Sequence, residues 1–365
     1  MLEQSAIAHY LLSLGIVKPQ DVLDDGLTVI DVSRRNAVFL VETSAGPTYV
    51  VKQATARAAA TLAHEAAVLR VLAAAPELAP LVPTVVHHEP EAALLIMRTP
   101  AGARDWSDQH GSGRFPRISA RVLGRALAAV HRLPADHVGE PRAEQSPMWG
   151  LSLPEPSHDL LLDLSAGGRD LVARLQADPE LCDRLNDLRA RTSASSFVHG
   201  DLRWENCLAV APLGSRRRTR VLLVDWELAG AGVPEFDVGT VLAEYLRSWV
   251  GSIPIVDARR PGRLVPRAGH PLERMQPAAQ AFWSAYRLAS GRGPKLRRVI
   301  EMAAVRLLQS AVERAQGLGT PTAHVVTLLQ LADNMLRQPD YAAVSLLGLR
   351  EWVGTATRSP RRSPP

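Results

Sequence analysis

Residues 199–206 read His199-Gly200-Asp201-Leu202-Arg203-Trp204-Glu205-Asn206, and residues 221–227 read Val221-Leu222-Leu223-Val224-Asp225-Trp226-Glu227. The first stretch runs from FV into CLAV, and a turn-rich basic segment, GSRRRTR (214–220), separates the two. Apolar runs on either side of turn chemistry predict a β-hairpin. The hairpin carries an Asp and an Asn five residues apart at one end, and Asp225 closes an apolar strand at the other. Single acids of this kind serve as helix caps or surface charges. Their grouping has a sharper use in phosphoryl transfer, which needs little covalent help from a protein. It needs metal ions to neutralise a polyphosphate and a carboxylate to orient the attacking hydroxyl. Asp201 suits the carboxylate role, while Asn206 and Asp225 offer hard oxygen ligands for Mg²⁺.

Upstream, VFLVE (38–42) and TYVVKQ (48–53) alternate apolar and polar residues around TSAGP, and they predict a strand pair within residues 27–53. Residues 58–75 are alanine- and leucine-rich and predict a helix. ALLIM (93–97) predicts a buried strand that ends at Met97, and TPAGA predicts a flexible joint. From residue 117 the pattern is mostly helical. Ile118, Val122, Ala126 and Val130 suggest one apolar stripe, and further helices are expected at 236–250, about 275–290, about 296–316 and 323–337. The expected fold is therefore α+β and bilobal. Residues 1–98 form a small β-rich lobe, residues 99–354 a larger helical lobe, and residues 355–365 a disordered basic tail. The site belongs where the lobes meet.

The small lobe adds two candidates. On the TYVVKQ strand, Val50 and Lys52 face one way, and Tyr49 and Val51 the other. On the helix, Leu62, Glu65, Leu69 and Leu72 share one stripe, so Glu65 falls among apolar residues. A buried carboxylate needs a partner, and Lys52 is the expected one; the alternative is that Glu65 marks the stripe's edge and reaches water.

HGDLRWEN followed by VLLVDWE resembles the catalytic loop and metal motif of the aminoglycoside phosphotransferase and choline kinase-like family. These are relatives of the protein kinases, whose motifs read HRDxxxxN and DFG. AGAGVPEFDVGTVL (229–242) is similar to that family's continuation, in which an Asp, here Asp237, braces the catalytic loop. The resemblance spans roughly residues 30–250 and implies a bilobal protein-kinase-like fold with ATP and Mg²⁺. It implies Asp201 as catalytic residue, Asn206 and Asp225 on the metal, and Lys52 with Glu65 on the phosphates. Met97 joins the nucleotide-binding set, and His199 and Asp237 support the loop. Where the family carries a Gly-rich turn, this chain has Asp31-Val32-Ser33-Arg34-Arg35-Asn36. Ser33 and Asn36 are the donors left there, with Arg34 or Arg35 as further phosphate contacts. Arg203 either stabilises charge on the transferred group or pairs with Glu205. Trp204 reads as a packing residue, and His131 as a helix end without a further role.

Bulk properties narrow the classes. The chain has 365 residues, 46% hydrophobic and 22% charged, and a net charge of +5. That is an ordinary globular balance, with no run of about 18 apolar residues for a membrane span. The first residues carry Glu3 and no basic leader, and they read as a short amphipathic helix rather than a signal peptide. Two cysteines, Cys182 and Cys207, make neither a disulfide framework nor a zinc site. A cytoplasmic location is expected. Lysine occurs only at 18, 52 and 295, and much of the arginine excess sits in loops and the tail, which argues against nucleic acid.

The acceptor is the open question. Residues 241–340 hold 7 acids and 14 bases, a field that disfavours a polycation such as an aminoglycoside. The Arg- and Pro-rich loop at 251–275 suits an extended or acidic partner. Relatives of the resembled family that accompany peptide natural-product pathways phosphorylate Ser or Thr of a precursor peptide before a partner lyase eliminates phosphate. The expected acceptor is such a hydroxyl. Alternatives are an aminoglycoside or other small molecule, and a nucleotide-binding pseudokinase without turnover.

Overall fold

The computed structural model describes residues 2–23, 26–33, 36–43, 46–55, 58–138, 146–210, 219–254, 267–291, 293–317 and 320–351. Arg34, Arg35, residues 214–218, Arg259, Arg260, Arg263 and the 355–365 tail lie outside them. So does the reading of that tail as disordered.

Helices α1 (Gln4–Ser13) and α2 (Pro19–Leu23) lead into strands β1 (Thr28–Asp31), β2 (Ala37–Glu42) and β3 (Thr48–Gln53). Helix α3 (Ala59–Ala74) precedes β4 (Thr84–Glu89) and β5 (Leu94–Thr99). The five strands make one antiparallel sheet in the order β1-β2-β3-β5-β4. The expected strand pair of 27–53 is thus part of a larger sheet, extended by β1 and β4. Its alternation decides which side chain goes where. Phe39, Val41, Val51, Leu94 and Ile96 face outward and bury Ile7, Leu11 and Val17 from the α1 region. Tyr10 Oη donates to Glu89 Oε2 at 2.7 Å and ties α1 to β4. Leu95 and Met97 point the other way, with Leu62, Leu69 and Leu72 of α3, into the main core. Lys52, paired with Leu95 across the ladder, shares that inner side.

After Thr99 the chain enters the helical lobe through β6 (Arg104–Asp105) and α4 (Trp106–Gly111), whose N-terminal amides are capped by the Asp105 carboxylate. There follow α5 (Arg117–Val130), α6 (His158–Asp163), α7 (Ala166–Gln176) and α8 (Pro179–Ala190). The stripe expected on α5 is partly displaced: Ile118 is exposed, and the buried face is Ala120, Leu123, Ala126, Leu127 and Val130. Strand β7 (Ser196–Val198) pairs with β10 (Gly230–Gly232), and β8 (Cys207–Val210) with β6 and β9 (Arg220–Leu223). Helices α9 (Pro234–Gly251), α10 (Leu272–Ser290), α11 (Leu296–Ala315), α12 (Ala323–Arg337) and α13 (Pro339–Leu347) complete the lobe. Helix α5 packs on α10, and α11 packs between α9 and α12. Pro234 at the first helical position and acids in the first turn start α9. The molecule is bilobal α+β, with a small antiparallel sheet and a helical majority. Among the described residues no helix is long and apolar enough to cross a membrane.

Candidate active site between the lobes

Sheet register gathers the polar residues. The 199–206 segment links β7 to β8, and Asp225 follows β9 after Val224. Cys207 stands opposite Leu223, and Asn206 O accepts from Val224 N at 3.0 Å. Asn206 and Asp225 are therefore brought to the same end of the hairpin.

The turn at Gly200 is built for glycine. Its φ is +85°, and a Cβ there would stand 2.5 Å from Leu228 O, so the backbone approach excludes a side chain. Asp237, fully buried on the first turn of α9, holds this bend. Its Oδ2 accepts from His199 N (2.7 Å) and its Oδ1 from Gly200 N (2.9 Å). Burial works against the charge, but hydrogen bonds from His131 and the His199 amide prevail and hold the Asp237 carboxyl below its ordinary pKa. His199 Nε2 faces Val224 O at 3.0 Å, while Nδ1 accepts Asp201 N–H at 3.3 Å. These partners assign a neutral ring, and burial lowers its pKa in agreement. His131, expected to be a plain helix end, bonds Asp237 Oδ2 (3.1 Å) and Tyr286 Oη (2.9 Å). It orients the bracing carboxylate.

Asp201 is held by one oxygen. Its Oδ2 accepts from Arg203 Nε (3.0 Å), Arg203 Nη2 (2.7 Å) and Asn206 Nδ2 (3.1 Å). Asn206 Nδ2 also donates to Asp201 O at 2.8 Å, so the Asn206 amide oxygen is turned away from that contact. The alternative pairing of Arg203 with Glu205 is not what forms. Arg203 takes Asp201, two residues away, while Glu205 lies 3.6 Å from Arg247. Trp204 is buried, packing edge-on to Tyr245 (5.2 Å) and against His110 (3.9 Å).

Lys52 and Glu65 meet as their sequence positions anticipate. Lys52 Nζ lies 2.8 and 2.9 Å from the two Glu65 oxygens and 2.6 Å from Asp225 Oδ1. Trp226 N also donates to Glu65 (3.3 Å), and His64 Nε2 meets Ala229 O (2.7 Å), so α3 is docked on the helical lobe here. Burial disfavours the lysine's charge, but Glu65 and Asp225 outweigh it and hold its pKa above the ordinary value. For Asp225 burial is likewise overcome, by Lys52, and its carboxyl is held below the usual range. Asp225 adopts a left-handed backbone, φ 68° and ψ 61°, a conformation that Asp tolerates better than most residues.

Glu227, two residues after Asp225, was not singled out by the sequence. Burial and the neighbouring Asp225 push its pKa up to about 7, with Lys52 opposing. Its position after the strand end is the only signal the sequence held. Ser33 and Asn36 sit at the sheet's tip, where Ser33 N donates to Asp31 Oδ1 (2.8 Å) and Ser33 Oγ accepts from Val38 N (2.9 Å). Ser33 thus closes its own turn. Met97 is buried under the sheet.

The oxygen donors fit a hard divalent cation: Asp225 has one oxygen beyond Lys52's reach of bonding, and the Asn206 amide oxygen is uncommitted to Asp201. Among the described residues no three His, Cys, Asp or Glu side chains form a cage. Magnesium, which is bound by one or two carboxylates plus phosphate oxygens, does not require one.

The chain as a whole resembles solved structures. It superposes on a choline/ethanolamine kinase family protein from Mesorhizobium loti with a TM-score of 0.52 at 17% identity, covering 93% of this chain and 97% of that one. On a choline kinase from Cryptosporidium parvum Iowa II the TM-score is 0.55 at 11% identity, covering 94% and 98%. At these identities the likeness is one of fold. No curated protein sequence matches significantly. The match that decides the family is with the model of the phosphotransferase enzyme family (APH), over residues 26–280. That span includes the sheet, Lys52, the 199–206 loop and Asp225, and the chain belongs to this phosphotransferase family.

Proposed function

We propose that the protein transfers the γ-phosphoryl group of ATP, with Mg²⁺, to a hydroxyl acceptor. The observation that carries this reading is the convergence of Lys52 and Glu65 from the small lobe with Asp201, Asn206 and Asp225 from the large one. Magnesium, when bound, neutralises phosphate charge, and Asp225 and Asn206 are the residues that would hold it, with Asp225 close enough to Glu227 to raise its pKa. Lys52, kept charged by Glu65, meets phosphate oxygens. Met97 lies beneath the sheet on the nucleotide's side, and Ser33 and Asn36 stand at the tip that would cover it.

Asp201 does the orienting. Arg203 and Asn206 occupy its Oδ2, which leaves Oδ1 to accept the acceptor's hydroxyl hydrogen. The hydroxyl oxygen bonds to the γ-phosphorus while the bond to the β–γ bridging oxygen breaks. The proton goes to Asp201, and ADP leaves with the bond's electron pair. Arg203, 30% exposed beside Asp201, lies close enough to stabilise charge on the transferred group. His199 and Asp237 hold the loop.

The acceptor side is set by arginine. Arg203, Arg247, Arg306 and Arg314 come from the loop, α9 and α11, among Glu205, Glu244 and Glu313. Arg306 pairs with Glu313 (2.8 Å) and Arg247 with Glu244 (2.6 Å). Arg314 has no ion-pair partner among the described residues, and burial together with nearby Arg247 lowers its pKa. With the other three arginines paired to acids, Arg314 is the charge that favours a neutral or anionic acceptor over a cationic one. The serine or threonine hydroxyl of a peptide is the acceptor we favour, with a separate lyase as the natural consumer of the phosphorylated product. The test is binding and turnover in parallel. Asp225→Ala should abolish Mg²⁺-dependent ATP binding, and Asp201→Ala should bind ATP but lose turnover. Near-normal phosphoryl transfer by Asp201→Ala would overturn the reading.

A further inference from the structure

Helix α9 presents two buried carboxylates to the 199–206 segment, and they meet it at different places. Asp237 takes the amides of His199 and Gly200. Seven residues later, about 10 Å along the helix axis and on the same face, Glu244 accepts Trp204 N–H at 3.2 Å. Glu244 is 1% exposed. Arg247 grips it with Nε on Oε1 (2.8 Å) and Nη2 on Oε2 (2.6 Å), and also lies 3.6 Å from Glu205. Burial disfavours the Arg247 charge, but Glu244 more than compensates and raises its pKa.

Stability alone does not explain this pair. Removing two charges from water offsets most of their attraction, and an apolar pair of similar volume is often as stable or more so. What the pair does supply is local. Trp204 starts the short 3₁₀ turn Trp204–Asn206, and the first amides of such a turn have no partner within it. Glu244 provides one. Asn206 ends the same turn, with its N–H on Arg203 O (3.0 Å) and its side chain on Asp201. A shift at Trp204 therefore moves Asn206 and one of the donors on Asp201 Oδ2.

We propose that Glu244, clamped by Arg247, is a positioning residue: a second brace that fixes the 203–206 turn, and with it Asn206, independently of Asp237. Its effect on metal binding rests on the phosphotransferase reading above; its effect on the loop does not. The test uses the full chain with Glu244→Met and Arg247→Met together, which replaces both charges by apolar groups. The midpoint of thermal unfolding should fall by only a few degrees, the cost of leaving the buried Trp204 N–H without its acceptor. Hydrogen exchange at the amides of 204–207 should quicken by about tenfold, with His199 and Gly200 unchanged. Affinity for Mg·ATP should fall by about tenfold, the scale of a lost outer-shell partner, while metal-free ATP affinity holds. Glu244→Gln, which keeps an oxygen for Trp204 N–H, should retain slow exchange. Unchanged exchange at 204–207, or equal loosening from 199 through α9, would overturn the brace. If the wild type shows no metal-dependent ATP affinity, the phosphotransferase reading fails, and the exchange pattern alone still decides the brace.

Discussion

The tasks proposed for Asp201 and Asp225 differ, and single substitutions should separate them. Asp201→Ala is expected to lower turnover by about 10² to 10⁴-fold, the scale of a lost orienting acid–base group, with ATP affinity within a few-fold of wild type by calorimetry. Asp225→Ala removes the proposed metal ligand and frees Lys52 from one of its two carboxylates, so Mg²⁺ should cease to strengthen ATP binding. His131→Leu offers a subtler case. It takes a hydrogen bond from the fully buried Asp237, which should cost on the order of 1–3 kcal/mol in urea unfolding without altering Asp201. At this scale the sequence was informative where a residue's partner lay in a motif. Asp237 was anticipated only through the family resemblance of residues 229–242, whereas Lys52 and Glu65 could be paired from spacing, because each sits on a regular element. Arg203 could not be, because two acids, Asp201 and Glu205, stand at equal distance along the chain and only the turn's shape chooses. Glu244 and His131 look like ordinary helix residues until α9 and α5 are packed against the loop.

Helices α9 to α12 were legible to within a few residues, since long apolar periodicity, a proline start and glycine- or proline-rich connections agree. Strand β4 was not. Its TVVHHE lies among prolines that signal a loop, and it is only partly buried. Helix α6 has no buried residue, so it leaves no stripe to read. The α5 stripe was misplaced because Ile118, the most apolar residue of its first turn, faces solvent, while small Ala120 and Gly124 face α10. Packing here favours small side chains. The same logic governs α9 on α11, where a Cβ at Gly239 would stand 2.7 Å from Ala303 N and 2.8 Å from Val299 O. Gly239→Ala gains about 1 kcal/mol in helix propensity. It meets backbone that cannot yield, at about 1–3 kcal/mol for overpacking. Net destabilisation is expected in denaturant unfolding. A stabilised variant would show that α11 gives way.

Across the whole molecule, acid should weaken the fold through its buried histidines. His110 packs between Trp204 and Phe115, and burial lowers its pKa from 6.5 to about 3. Below pH 6.5 the unfolded chain binds a proton that the folded one refuses, so this contribution is complete above that pH and drains away as pH falls toward 3. Between pH 7 and pH 5 the loss from this residue is about 2 kcal/mol. His110→Phe should show a correspondingly shallower dependence on pH over that range, and an identical dependence would exclude the histidine as the source. The two lobes matter together for the remaining question, which is whether Lys52 and Glu65 above and Asp201, Asn206 and Asp225 below form a working phosphotransfer centre. The most direct measurement is transfer of radiolabelled γ-phosphate from ATP, with and without Mg²⁺, to serine- and threonine-bearing peptides and to kanamycin-like amines, by wild type and by Asp201→Ala. Label on the peptide hydroxyl, dependent on Mg²⁺ and on Asp201, is the expected result. Transfer that persists at near wild-type rate in Asp201→Ala would contradict the centre itself, and label on the amines with none on peptides would contradict the acceptor assigned to it.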